Sequence, residues 1–455
     1  MHNRLLVVRL YNVGLGDCIY VRVPDNEESR HILIDCGNKF GSTEDLEAAV
    51  SGLEAQLPEA DPEHPGKKRL DLLVVTHSHE DHVRGFDPKA FENIQIERVW
   101  MSAAMDPHHS QAKGTHALQA FALSTLERLQ ESPPNAAVAG LASSLYSLTK
   151  PQALDALYED LPRANGIEPL FVHAETPEAD LKIFRDPEIR LRVLAPMENI
   201  DGYYLGNVSE ALKTLRGFQK TLAGAIGDDE AEKDVAKPAG GDEEVWPRNI
   251  SREDFRRLRM RLLDNALAFT LLHGHLVNNT SVVLLLEWRG RRLLFTGDAE
   301  VRTTRGGEYE WGRPNGSWNV MWAEQRQHLE KPLDFLKVGH HGSHNATPWT
   351  AKSYKGQTHP VNEILDALLP LPGKKEKCDA VAVVSTQRTS SYKKIPHQGL
   401  MKELGLRVRN IEPYNEDESY DAPELQPYLV PRGVDQPQRT DLEGSAYLDV
   451  KFPAV

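Results

Sequence analysis

The chain has 455 residues, of which 40% are hydrophobic and 26% charged, and its formal net charge is −14. That length allows one large globular domain with insertions, or two domains, and the acidic balance excludes an overall electrostatic grip on nucleic acid or an anionic membrane. Three cysteines, Cys18, Cys36 and Cys378, form no CxxC pair, which argues against a thiolate zinc site or a disulfide scaffold.

The first 37 residues read as strands. "LLVVRLYNV" and "CIYVRV" flank the Gly-rich turn "GLGD", and a second turn, "PDNEESR", leads into "HILIDCG". Residues 44–57 carry apolar side chains at helical spacing: Leu46, Ala49, Val50, Leu53 and Leu57. "LDLLVVT" (70–76) reads as a buried strand with histidines at its carboxyl end, and "IERVW" (96–100) as another strand. Amphipathic segments from 105 to 165 suggest a helical insertion, extended to 185 before "LRVLAP" (191–196) returns to strand. A second, charged insertion spans 200–268. Within it 228–244 holds eight acidic and two basic residues with Gly and Pro, the composition of a mobile loop.

Residues 252–272 follow as a helix with five arginines, at 252, 256, 257, 259 and 261. These would spread around the helix and pair with nearby acids, or form a basic face for a polyanion. "SVVLLLEW" and "RRLLFTGD" form a hairpin across Arg289-Gly290. "LDFLKVGHHGS" and "CDAVAVVST" (378–386) are strands, "HQGLMKELG" is a helix and "LRVRNIE" a strand. A Pro-rich acidic segment fills 412–443, and "AYLDVKF" closes the chain as a strand. The N-terminus has no signal-peptide core and no 18-residue apolar run occurs, so a cytosolic protein without a membrane span is expected.

Chemistry gathers at three strand ends. In "THSHEDH", two imidazoles at i and i+2, His77 and His79, can point the same way from a tight turn. Asp81 and His82 can face a second metal. Imidazole and carboxylate donors suit Zn²⁺, and also Mn²⁺ or Fe²⁺. In "LLFTGDAE", Gly297 lets the backbone turn and brings Asp298 forward as a bridging carboxylate. In "LKVGHHGSHNAT", one of His340 and His341 can complete a metal shell, and the other can act as a general acid or bind an anionic substrate. Two neighbouring divalent ions activate water and polarise a phosphoryl or carbonyl oxygen.

The order "HSHEDH", "FTGD", "HHGS" resembles the metallo-β-lactamase superfamily. "NVGLGD" (12–17), "LIDCG" (33–37) and "NNTS" (278–281) are similar to motifs of the branch that contains the hydrolase domain of DNA-internalisation competence proteins and related phosphodiesterases. The resemblance implies an α/β fold, a four-layer αββα sandwich with helical insertions, here over the metal edge. It implies that His77 and His79 bind one metal, Asp81 and His82 the other, that Asp298 bridges, and that one of His340 and His341 completes a site, the His-Gly pairing favouring His341. Asp35 would support the metal loop from behind. One departure stands out. Many members place a further histidine where this chain has Val277-Asn278-Asn279. His275 is near enough to substitute, yet it and His273 read better as unliganded loop residues.

Asn279, Ser385, Lys393, Lys394 and His397 are weaker candidates for gripping substrate phosphate. The expected activity is metal-dependent hydrolysis of phosphodiesters, as a phosphodiesterase or nuclease, with two divalent ions, zinc or manganese. Asp81, His340 and His341 are its expected catalytic residues. Cleavage of a lactone, thioester or β-lactam is the alternative. A third reading makes the chain an effector or accessory component of a multi-protein defence or signalling system, docking partners through its insertions.

Overall fold

The computed structural model describes residues 5–39, 41–120, 151–205, 274–302, 316–353, 356–372, 380–386, 394–408 and 447–455. The acidic loop at 228–244, the arginine-rich helix at 252–272, His273, Cys378, Lys393 and the 412–443 segment lie outside them.

Alternating apolar residues build two sheets that share one core. The first has the order β14 (Tyr447–Phe452), β1 (Leu6–Tyr11), β2 (Cys18–Asp25), β3 (Glu28–Cys36), β5 (Leu72–Val75), β7 (Val99–Ser102), β8 (Leu170–Val172). The second runs β13 (Val381–Val384), β12 (Phe335–Val338), β11 (Arg291–Phe295), β10 (Val283–Trp288), β9 (Ile189–Ala195). Val8, Val21, Ile34 and Val74 of the first sheet meet Val193, Leu284, Phe295 and Phe335 of the second in one buried cluster. Successive side chains of a strand point to opposite faces, so the residues between them serve a second core on each outer face.

On the outside of the seven-stranded sheet, Leu46, Val50 and Leu53 of helix α1 (Thr43–Glu54) pack on Leu33, Leu73 and Val75. Ser42 caps this helix in a reciprocal box with Asp45. On the outside of the five-stranded sheet, the helices Ser317–Glu324, Asn362–Leu368 and Gln398–Arg407 pack on Leu285, Leu294 and Leu336. The layers are therefore helix, sheet, sheet, helix, as the resemblance implies.

The β10–β11 hairpin turns at Arg289-Gly290, both with positive φ (44° and 83°). This is the backbone of a two-residue hairpin loop. Strands β11, β12 and β13 are parallel, so their carboxyl ends lie along one edge. The same holds for β3, β5 and β7.

Several expectations need correction. The 70–76 strand is broken at Asp71. Leu70 belongs to β4 (Lys68–Leu70), which pairs with β6 (Ile94–Ile96) in a separate two-stranded sheet. Asp71 is buried because its carboxylate binds Arg30 Nη1 at 2.8 Å and His31 N at 2.9 Å. The 96–100 strand likewise splits into β6 and β7. Leu406 and Arg407, read as strand, extend the helix Gln398–Arg407, and Arg407 is tied by Glu403 and the Leu369 carbonyl.

The helical region after 105 is not all placed over the metal edge. Its described end, Pro151–Asn165, lays Leu157 and Leu161 into the outer cluster beside Leu46 and Leu53, as a crossover between parallel strands β7 and β8. Ala112 and Leu118 instead join Tyr203, Tyr204, Leu205 and Leu276 in a small cluster of their own.

Candidate metal centre

Strand β5 ends at Val75, and Thr76, His77 and Ser78 lead to His79, the cap of a single helical turn, α2 (Glu80–Val83). His77, His79, Asp81 and His82 are all buried, at 1%, 6%, 6% and 0% exposure. Burying four ionisable groups without counter-charge is prohibitive, so their partners decide what the turn is for. The turn presses against the end of β3: a Cβ at Gly37 would lie 2.5 Å from both Glu80 O and His82 N.

Asp298 arrives from the end of β11, one residue after Gly297 (φ 49°). A Cβ on Gly297 would come within 3.0 Å of Ser281 and Thr76. Asp298 Oδ1 lies 3.2 Å from His82 Nε2, and its Oδ2 lies 3.7 Å from His77 Nε2. His341, from the loop after β12, brings Nε2 to 3.0 Å from Asp81 Oδ2. His77 Nε2 and His79 Nδ1 are 3.1 Å apart. Two groups result, each with its candidate ligand atoms within 4.8 Å of one another: Asp81, His82, Asp298 and His341, and His77, His79 and Asp298. Asp298 belongs to both.

Three of the four rings are fixed through the far nitrogen. His82 Nδ1 donates to Asp35 Oδ2 at 2.7 Å, which leaves Nε2 facing Asp298. His341 Nδ1 donates to the Ser385 carbonyl at 2.9 Å, which leaves Nε2 facing Asp81. The Thr76 hydroxyl donates to Asp35 at 2.7 Å, so at 3.0 Å its oxygen can only accept from His77 Nδ1. A carboxylate or carbonyl behind an imidazole is the usual means of orienting a metal ligand. Asp35, His340 and His341 all adopt positive φ (57°, 45° and 51°). Such conformations cost about 1–3 kcal/mol each for residues other than glycine, and they gather at functional sites.

The electrostatics are those of an incomplete charge balance. Burial pushes the His77 and His79 imidazoles down, His79 to about 4, so both are neutral ligands at pH 7. Burial opposes charge on His82 too, but Asp298 and Asp35 outweigh it and hold its pKa well above the usual value. Burial would raise Asp81 and Asp298, yet the surrounding imidazoles keep both carboxyls well below the normal range. Asp81 Oδ1 and His82 Nε2 are buried without a hydrogen bond among the described residues. Orphaned donor atoms of this kind, converging beside two permanent carboxylates, fit divalent cations. A third grouping of Asp17, Asp35 and His82 differs. There the Lys337 ammonium already supplies the cation, 2.8 and 2.9 Å from the two Asp17 oxygens.

His340 is not a member of either ligand group. Its amide donates to Asp298 Oδ1 at 2.9 Å, while its Nδ1 lies 3.1 Å from Glu300 Oε1. Burial disfavours its charge, but Asp298 and Glu300 prevail and raise its pKa to about 9. Glu300 also contacts His275 Nδ1 at 2.9 Å and accepts from Asn278 Nδ2 at 2.9 Å. The histidine that could have replaced a missing metal ligand is therefore engaged with Glu300.

The remaining candidates are spread differently. Asn279 donates to the His275 carbonyl and accepts from Ser317 N. Ser385 contributes its carbonyl to His341. His397 caps the helix Gln398–Arg407, its Nδ1 accepting from Leu400 N at 3.2 Å. Asn279 and His397 also line a cavity of about 550 Å³ next to the cage, with Glu300, Arg302, Trp349 and Lys352.

Sequence reasoning passed over Glu300 and Lys337. Glu300 follows Asp298 by two residues in "TGDAE", and an acid so near a bridging carboxylate needs a cation. Lys337 is the one charge inside the apolar run "FLKV" and is 1% exposed.

A family model described as the metallo-beta-lactamase superfamily matches residues 11–88, which carry β2 to β5, Asp35 and the "THSHEDH" turn. No curated protein matches the chain. The superfamily match and the buried His/Asp clusters together support a metal-dependent hydrolase. No helix among the described residues is long and apolar enough to cross a membrane.

Proposed function

We propose that the chain hydrolyses phosphodiesters with two divalent ions, one held by His77, His79 and Asp298, the other by Asp81, His82, Asp298 and His341. The observation that carries this reading is the Asp298 carboxylate common to both groups. Imidazole and carboxylate donors suit zinc, and manganese is also compatible. When bound, such a pair acidifies a water molecule and polarises the oxygen atoms of the bond to be broken.

The protein's own part is orientation and charge. Asp35, Thr76 and the Ser385 carbonyl fix the tautomers that turn three Nε2 atoms inward. Burial of the cage excludes bulk water from its ligand atoms. Glu300 holds His340 by Nδ1, which leaves its Nε2 proton for the leaving oxygen of a cleaved ester.

The choice of phosphate over an acyl bond rests on the adjoining cavity. An acyl substrate prefers an apolar cleft with few cations. Here Arg302 and Lys352 line the cavity and neither has an acidic partner among the described residues. On a chain of net charge −14, such a local excess of cations favours an anion.

Hydrolysis of bis-p-nitrophenyl phosphate with added Mn²⁺ or Zn²⁺ tests the reading. Wild type is expected to turn it over, and Asp81→Ala to fall to background. Equal rates for the two proteins would remove the catalytic claim.

A further inference from the structure

We infer that the cavity beside the cage is a subsite for one nucleoside unit of the substrate, with the base against Trp349 and the backbone phosphate near Arg302 and Lys352. The inference rests on the phosphodiesterase reading and narrows it: the preferred diester carries a nucleoside on at least one side. The site would take single-stranded ends or small nucleotides rather than duplex.

Size is the first argument. At about 550 Å³ the cavity falls within the range of pockets that enclose a small ligand, ~300–1,000 Å³, and cannot admit a stretch of double helix. Its lining is the second. Tyr204, Leu205, Leu276 and Trp349 supply apolar surface, and the exposed side chains of Arg302 and Lys352 supply positive charge without an acidic partner among the described residues. An aromatic ring beside cations matches a nucleotide, because every base has a face that stacks and every phosphate accepts from Arg or Lys. Among the described residues the one acid of the lining, Glu300, is already engaged by His275 and His340, so it does not repel an anion strongly.

Position is the third. Glu300 lines the cavity and contacts His340, whose amide binds Asp298, so the cavity opens one side chain away from the shared carboxylate. The walls are also pre-shaped. Asn319 accepts from Arg302 N at 2.9 Å and donates to Arg302 O at 3.1 Å. Asn362 brackets Thr350 in the same way, at 2.9 and 3.0 Å. Asn279 holds Ser317 N, and Val301 N donates to Asn345 O at 2.8 Å. Trp349 lies against the helix at Gly399, where a Cβ would stand 3.5 Å from its ring. Walls fixed before binding reduce the ordering cost of holding a ligand.

The test compares thymidine 5′-(p-nitrophenyl phosphate) with bis-p-nitrophenyl phosphate, using kcat/KM for the wild type, Trp349→Ala and Trp349→Phe. Wild type is expected to prefer the nucleoside diester by about tenfold, the scale of one stacked base. Trp349→Ala should erase most of that preference and Trp349→Phe keep most of it. No preference in wild type, or the same preference in Trp349→Ala, overturns the inference. Because Trp349 is partly buried, a second measurement uses the exposed Lys352. Calorimetric titration of the EDTA-treated full chain with thymidine monophosphate should show binding that Lys352→Glu weakens at least fivefold. Absence of binding to wild type, or no change in the variant, also overturns it. Hydrolysis of neither diester together with Lys352-dependent nucleotide binding would reject the phosphodiesterase reading and leave the nucleotide pocket standing. Equal hydrolysis of both by wild type would do the opposite.

Discussion

The cage and the cavity next to it both contain histidines and acid, but their parts are held in opposite ways. In the cage the side chains themselves are fixed: His82 by Asp35, His341 by a carbonyl, His77 by Thr76. In the cavity wall the backbone is fixed, by Asn319 at Arg302 and Asn362 at Thr350, while Arg302 and Lys352 extend without partners among the described residues. Side chains that must meet an ion within a few tenths of an ångström need the first arrangement. Those that must accommodate a flexible ligand need only the second. Substitutions should therefore act on chemistry in one region and on selectivity in the other.

The largest effect is expected at Asp298, which serves both groups. Asp298→Ala should reduce the bound metal from two ions per chain, read by elemental analysis, and lower kcat by on the order of a thousandfold, as the loss of several kcal/mol of charge stabilisation implies. If metal content stays at two, the shared-carboxylate picture is broken. Next comes Lys337→Met. Leaving Asp17 buried and uncompensated should cost roughly 3–5 kcal/mol of stability in denaturant unfolding, although neither residue is a proposed ligand. A variant as stable as wild type would mean that the ion pair does not hold the scaffold.

Asp35→Asn keeps a residue that tolerates positive φ but removes the charge behind His82. Metal affinity, measured by competition with a chromogenic chelator, should weaken roughly 10–100-fold, and excess metal should restore the rate. The smallest effect belongs to Glu300→Gln, where the two regions join. We expect kcat to drop about tenfold, in line with one charge-assisted hydrogen bond, with both ions retained. Loss of metal in that variant would place Glu300 in the cage rather than in the wall.

The sequence marked the cage more clearly than the wall, and physics explains why. "THSHEDH", "TGD" and "HHGS" crowd ligand types at strand ends, where a short apolar run announces its own carboxyl edge. The hairpin across Arg289-Gly290 and the outward face of α1 were legible for the same reason, since period and turn chemistry are local. Which of two adjacent histidines turns inward is not local. Backbone bonds and φ at His340 and His341 decide it, together with Ser385, far along the chain. The break at Asp71 depends on Arg30 and His31 across the sheet. Arg302, Trp349 and Lys352 carry no motif at all, and only the packing of loops from two parts of the chain brings them to one cavity.

The Lys337–Asp17 pair bears on what holds the frame of the cage. Asp17 N also donates to the Asp81 carbonyl at 2.9 Å, and Gly37 N to the Asp17 carbonyl at 2.9 Å. The loops that present the ligands are thus stitched together by ordinary protein bonds around an ammonium that is part of the chain. A scaffold of this kind carries a built-in cation for one of its buried acids, unlike small zinc modules that depend on the metal alone. Part of the frame that presents the ligands is therefore internal to the chain, and bound ions would complete a charge balance that Lys337 has already begun.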